Sequence, residues 1–189
     1  MKTMIAENVG KYSGQILEEL ITAKQIQTRI GELGRKISAD YVGKTPIVIG
    51  VLNGSIIFMA DLIRQLSTAC EIDFIKITSY YGDVKSSGTV RLLKDISCMI
   101  TQRDVIVVED IIDSGLTAKF IRQRLLESEP SSVAFATLLL KPEMIDLPFE
   151  VDYAGFEIPN RFVVGYGLDL DQKMRNLPSI WAFPEGMEV

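Results

Sequence analysis

Histidine is absent from this chain of 189 residues. Its absence excludes a Ser-His-Asp triad, a Cys-His pair, a histidine-ligated zinc and a histidine general base. Acid–base chemistry falls to Asp, Glu, Lys, Tyr or Cys. Cysteine is nearly absent too. Cys70 and Cys98 lie far apart and make no CxxC pair. That excludes a zinc ribbon and argues against a disulfide framework. A reducing, cytoplasmic home is expected. Long apolar runs are also missing. The longest uncharged stretch, residues 45–60, is interrupted by Asn53, Gly54 and Ser55. It falls short of the roughly 20 apolar residues that a membrane span requires. Residues 1–7 hold no apolar segment of the signal-peptide kind. Positive charge is not in excess: Lys and Arg number 20 against 25 Asp and Glu, a formal charge of −5. That balance suits neither nucleic-acid wrapping nor an anionic membrane surface. The expected partners therefore include no nucleic acid and no membrane.

What the chain does contain is an ordinary globular mixture, 47% hydrophobic and 24% charged. Its length suits one domain over residues 1–189. No repeat, low-complexity tract or Pro/Gly-rich linker divides it. Thr22 and Gln25 have capping-box spacing, with Ile21 and Ile26 as the hydrophobic staple. Behind them Ile26, Ile30, Leu33 and Ile37 repeat at helical spacing, so a helix is predicted over about 22–41. A core follows over about 45–170. It opens with a buried strand, Ile47 to Leu52, then the turn Asn53-Gly54-Ser55 and a helix from Ile56 to Leu66. Ile72 to Ile77 alternates as a strand. Val105 to Val108 is wholly apolar, as a central parallel strand should be. A helix from Thr117 to Ser128 ends before Pro130. Val133 to Leu140 is another buried strand. Phe162 to Val164 and Ile180 to Phe183 are further strand candidates. This order predicts an α/β fold with a mostly parallel twisted sheet flanked by helices. Ligands in such sheets sit at the carboxyl ends of the strands.

The turn after the central strand reads Glu109-Asp110-Ile111-Ile112-Asp113-Ser114-Gly115-Leu116-Thr117. Three carboxylates crowd a strand end, and a hydroxyl-rich turn opens the next helix. Backbone N–H groups and hydroxyls there suit an anion. The carboxylates suit a hydroxylated, magnesium-bearing ligand. Together they describe a sugar-phosphate pocket. The alternative is a solvated loop with an acidic helix start, in which Asp113 merely caps the helix.

This run resembles the signature of type I phosphoribosyltransferases, enzymes that bind 5-phosphoribosyl-1-pyrophosphate (PRPP). Four further runs are similar to the hypoxanthine-guanine branch and occur in its order. They are residues 51–55, residues 79–82, Leu140-Lys141-Pro142, and residues 155–169. The resemblance implies the type I phosphoribosyltransferase fold, with a small hood to which the C-terminal segment contributes. It implies purine salvage. The phosphoribosyl group of PRPP passes to N9 of a 6-oxopurine base, giving IMP or GMP and pyrophosphate, with Mg2+ as cofactor. A homodimer or homotetramer is implied as well.

The resemblance also implies roles. Asp113 would bond N7 of the purine as general base or acid. Glu109 and Asp110 would face the ribose hydroxyls, directly or through metal, and Asp169 would hold a second magnesium or its water shell. Asp113, Ser114, Gly115, Leu116 and Thr117 would cradle the 5′-phosphate. Leu52, Asn53, Gly54 and Ser55 would form a pyrophosphate loop, with a non-proline cis bond at Leu52-Asn53. Lys141 would donate to O6, which selects 6-oxopurines over adenine. Phe162 would stack on the ring, Val163 would offer backbone groups to the base edge, and Arg175 would reach pyrophosphate. Residues 79–91, begun by Ser79 and Tyr80, would form a mobile lid that excludes water. Three departures stand out. Leu116 replaces the lysine of mammalian-type members and resembles the bacterial ones. Asn53 replaces a basic residue. Pro142-Glu143-Met144 replaces a basic cluster. The residues leave open a xanthine-preferring transferase, and a regulatory RNA-binding protein on the same fold, although the acidic charge counts against the latter.

Overall fold

The computed structural model describes residues 2–7, 9–80 and 89–184. The chain begins with β1 (Thr3–Ile5), a short 3-10 turn at Gly10–Tyr12, and β2 (Ile16–Ile21). Helix α1 (Ala23–Asp40) follows, then β3 (Ile47–Leu52), α2 (Ile56–Ile63), β4 (Glu71–Tyr80) and β5 (Thr89–Lys94). Next come β6 (Asp104–Ile112), α3 (Leu116–Leu126), β7 (Ser132–Leu140), β8 (Tyr153–Glu157), β9 (Val163–Val164) and β10 (Ile180–Ala182). Among the described residues no helix is long and apolar enough to cross a membrane.

The larger sheet has the order β5-β4-β3-β6-β7-β8. All its pairings are parallel except β4 with β5. Because side chains alternate across the pleat, each central strand feeds two cores. Val48, Ile106 and Val108 face α1 and α2, against Ile26, Ile30, Leu33, Ile37, Phe58 and Leu62. Ile47, Ile49, Val105, Val107 and Phe135 face α3, against Ala118, Ile121 and Leu125. Burial on both faces explains why these strands read as unbroken apolar runs. The capping box of α1 forms as its spacing predicts: Gln25 N–H donates to Thr22 Oγ1 and Thr22 N–H to Gln25 Oε1.

A smaller antiparallel sheet, β1-β2-β10-β9, makes the hood. It closes over Leu17, Val164, Leu170 and Phe183. Arg161 ties β2 to the end of β10, donating to Glu18 at 2.8 Å and to the Phe183 carbonyl. Strands β1, β2, β5 and β8 were not expected. β2 carries Glu18-Glu19 and shows no alternation, and its partner β10 lies at the far end of the chain. β8 is short and contains Gly155.

The chain leaves β3 through α2 toward β4 on one side. It leaves β6 through α3 toward β7 on the other. Between the carboxyl ends of these two neighbours the connections part, and a crevice opens there.

Candidate active site

A cleft of about 320 Å³ occupies that crevice. It is lined by Leu52, Asn53 and Gly54 after β3, by residues 109–118 from the end of β6 into α3, and by Asp169 and Arg175 from a hood loop. Its size suits a small polar ligand. Twelve of the predicted residues meet here: Leu52, Asn53, Gly54, Glu109, Asp110, Asp113, Ser114, Gly115, Leu116, Thr117, Asp169 and Arg175.

The turn after β3 is packed from both sides. The Leu52-Asn53 peptide bond is cis, as expected. Ser55 is buried and donates to the Val51 carbonyl at 2.6 Å, which folds the turn back on its own strand. Below it, a Cβ added at Gly54 would fall on the Asp110 carboxylate. Above it, a Cβ at Gly167 would fall on the Gly54 carbonyl, and Gly167 has φ 103°. Two glycines thus let three chain segments stack where side chains would not fit.

Two acidic side chains from the end of β6 stand apart from balancing positive charge. Glu109 is buried, and its desolvation together with the charge of Asp110 pushes its carboxyl well above the usual range. Asp110 is pushed up to about 6 by burial, opposed by the Ile111 N–H and by Arg175. Arg175 is committed elsewhere: it pairs with Asp169 at 2.7 Å and donates to the Gly167 carbonyl at 2.7 Å. A cation placed beside Glu109 and Asp110 would relieve both. Among the described residues no three His, Cys, Asp or Glu side chains converge on one point as a metal cage. The predicted set Glu109, Asp110 and Asp169 is therefore not a closed ligand shell. The donors fit an ion that takes one or two carboxylates here and its other ligands from phosphate and water, as magnesium does.

Helix α3 points its free amino end into the cleft. Its N-cap is Gly115, at φ 81°, with no side-chain cap bond. Asp113 is therefore not the cap, and its carboxylate is available for other work. The Leu116 and Thr117 N–H groups stand at the positive end of the helix dipole, where an anion is favoured. Asp113 Oδ2 accepts from Lys141 Nζ at 2.8 Å. Lys141 follows β7 and is only 6% exposed, so it is not a solvated strand end. Its second partner is Asn160 Oδ1 at 3.4 Å.

Lys141, Phe162 and Val163 lie apart from the cleft lining. Lys141 reaches it only through Asp113. Phe162 packs edge-on against Phe183, 5.7 Å between centroids, within the hood cluster. The Val163 side chain is buried, and β9 forms one edge of the hood sheet. Ser79 and Tyr80 end β4, their backbone in register with Val90 and Thr89. Residues 81–88, the centre of the expected lid, lie outside the described residues, and residues 89–91 belong to β5. Sequence reasoning missed Asn160, Tyr166 and Gly167. The two left-handed glycines around Tyr166 were the one available signal.

Comparison with known proteins agrees with this geometry. The family model for a phosphoribosyl transferase domain matches residues 17–171. The hypoxanthine-guanine phosphoribosyltransferase of Streptococcus agalactiae is 44% identical over 170 residues, 90% of this chain and 94% of that one. The enzyme of the same name from Mycobacterium tuberculosis is 43% identical over 175 residues, 89% and 87% of the two chains. The crystal structure of a hypoxanthine-guanine phosphoribosyltransferase from Bacillus anthracis, with a HEPES molecule in its active site, superposes with a TM-score of 0.84. It is 45% identical and covers 88% of this chain and 98% of that one.

Proposed function

The chain belongs to the phosphoribosyltransferase family, and from its hypoxanthine-guanine relatives and its cleft we propose a purine-salvage reaction. The phosphoribosyl group of PRPP passes to N9 of hypoxanthine or guanine, giving IMP or GMP and pyrophosphate. The observation that carries the base assignment is the Asp113–Lys141 pair at 2.8 Å, beside the open end of α3. A carboxylate acceptor and an ammonium donor side by side complement the N7 and O6 edge of a 6-oxopurine. An amino group at C6 would meet the ammonium donor to donor, which disfavours adenine.

Residue roles follow from position. Residues 113–117 hold the 5′-phosphate through backbone N–H groups, Ser114 and Thr117. Leu52, Asn53 and Gly54 hold pyrophosphate with main-chain donors, and Arg175 adds charge from the hood. Asp113 exchanges the proton at N7 as the glycosidic bond forms, from a fixed distance to its substrate. The charge that develops on ribose is oxocarbenium-like, and the carboxylates at the end of β6 stabilise it. Phe162 stacks on the base, and Val163 offers its backbone to the base edge; both require the hood to close further on the cleft. Ser79 and Tyr80 begin the lid.

Magnesium is the ion we assign to this site, held by Glu109 and Asp110 directly or through water, with Asp169 holding a second magnesium or its water shell. When bound it would neutralise the departing pyrophosphate. We read the two sheets as one functional domain, because the cleft draws residues from both. A homodimer or homotetramer is proposed from the likeness to the hypoxanthine-guanine branch. The free thiols Cys70 and Cys98 support a cytoplasmic setting.

The test is a magnesium- and PRPP-dependent assay offering hypoxanthine, guanine, xanthine and adenine in parallel, with Asp113→Asn beside the wild type. Turnover of hypoxanthine or guanine, lowered about 10²–10⁴-fold in the variant, is expected. Turnover of xanthine alone would replace the base assignment. No turnover of any base would overturn the reaction.

A further inference from the structure

Tyr166 sits between two glycines on an unusual backbone path. Gly165, Tyr166 and Gly167 have φ of 97°, 50° and 103°. A residue with a Cβ rarely adopts such a φ. Hydrogen bonds enforce it here: Tyr166 N–H donates to Leu177 O at 2.8 Å and Gly167 N–H to Arg175 O at 2.9 Å. The path sends two neighbouring residues to two different places. Gly167 rests its backbone on the Gly54 carbonyl. Tyr166 turns its ring into the core beneath α1 and α2, where it is 4% exposed. Its hydroxyl donates to the Asp61 carboxylate on α2, which also accepts from Gln27 Nε2 at 2.9 Å and pairs with Arg64.

Helix α2 begins at Ile56, immediately beyond the turn that contains Gly54. The hood loop therefore grips one continuous segment twice, at the turn through Gly167 and at the helix through Tyr166. Neither grip uses a residue that lines the cleft from the base side. Burial alone would be served equally by phenylalanine. The hydroxyl is what ties the height of the hood loop to α2.

We propose that Tyr166 is a positioning residue for the pyrophosphate subsite. Its bond to Asp61 fixes Gly167 against Gly54, and so fixes the direction in which the main-chain donors of the turn face the leaving group. The inference rests on reading Leu52, Asn53 and Gly54 as the pyrophosphate loop. Breaking the bond leaves the Asp113–Lys141 pair, on which the base assignment rests, untouched.

The experiment compares wild type, Tyr166→Phe, Asp61→Ala and Gln27→Ala. KM for PRPP and for hypoxanthine is measured in the forward direction, and KM for pyrophosphate in the reverse direction with IMP. Tyr166→Phe keeps the ring and loses a bond to a charged group, so KM for PRPP and for pyrophosphate should rise about tenfold. KM for hypoxanthine should stay at the wild-type value. Asp61→Ala breaks the same bond from its other end and should give the same selective rise. Gln27→Ala removes a neighbour of the same hydroxyl and carboxylate but leaves the Tyr166–Asp61 bond in place, and should leave all three constants unchanged. Unchanged pyrophosphate constants in Tyr166→Phe would overturn the proposal. So would an equal rise for all three substrates, or the same effect from Gln27→Ala. A wild type that turns over no base with PRPP would instead sink the functional reading, before any variant is compared.

Discussion

Lys141 Nζ lies 2.8 Å from Asp113 Oδ2, with the lysine side chain 8% exposed and the aspartate 47% exposed. One partner is anchored in the core and the other stands at the mouth of the cleft. A buried ammonium is stable only while paired. On the proposed reading, a purine that takes both the N7 and the O6 contact would meet a pair that already exists, with Asn160 still beside the lysine.

Lys141→Met should remove the O6 donor and keep most of the side-chain volume. KM for hypoxanthine should rise about 10–100-fold, the scale of a lost bond to a charged group. The preference for hypoxanthine over adenine should shrink at the same time. Parallel steady-state assays on the two bases check both; an unchanged preference would remove Lys141 from base selection.

Gly54→Ala places a Cβ on the Asp110 carboxylate. The turn or the carboxylate must shift, and both belong to the proposed PRPP side. kcat/KM for PRPP should fall at least about tenfold, the range a misplaced positioning group costs. Thermal unfolding checks that the fold survives, since the turn lies at the rim of the sheet.

Asp73 contributes to acid stability away from the cleft. Burial would raise its carboxyl, yet the Cys98, Phe74 and Ser97 N–H groups hold it well below its ordinary value of 3.8. A depressed folded pKa contributes stability that is complete above the unfolded pKa, about 3.9, and is lost as pH falls toward the folded one. Urea midpoints of the wild type should therefore drop below about pH 4. Asp73→Asn should lower the midpoint at pH 7, by about 1–3 kcal/mol in stability, and flatten the acid limb. Parallel acid limbs in the two proteins would count against this assignment.

Chelation should stop turnover, and added magnesium should restore it. Asp110→Asn removes a charge from the acidic pair. The magnesium concentration for half-maximal rate should then rise about tenfold or more, about 1.4 kcal/mol of ion binding. Titration of rate against free magnesium measures it.

Much of the larger sheet was legible. Strand β3, the turn to α2, and strands β6 and β7 announced themselves because strands buried on both faces must be apolar throughout. The capping box of α1 was legible because its hydrogen bonds span three residues. The acidic turn was legible for the same reason: Glu109 through Thr117 is one continuous piece of chain. The hood was not. β2 is held by β10 and by Arg161, and no local pattern in Ile16 to Ile21 reports partners so distant in the chain.

The sequence by itself determined the chemistry available: no histidine, a carboxylate-rich strand end, and a lysine after an apolar strand. It determined the local frame, because propensity, capping and pleat alternation act over a few residues. Tertiary structure decided which groups meet. It brought Lys141 to Asp113, set Gly54 between Asp110 and Gly167, and turned Tyr166 onto Asp61. These contacts join segments up to 113 residues apart, and their energies exist only once the larger sheet has formed and the hood has packed on it.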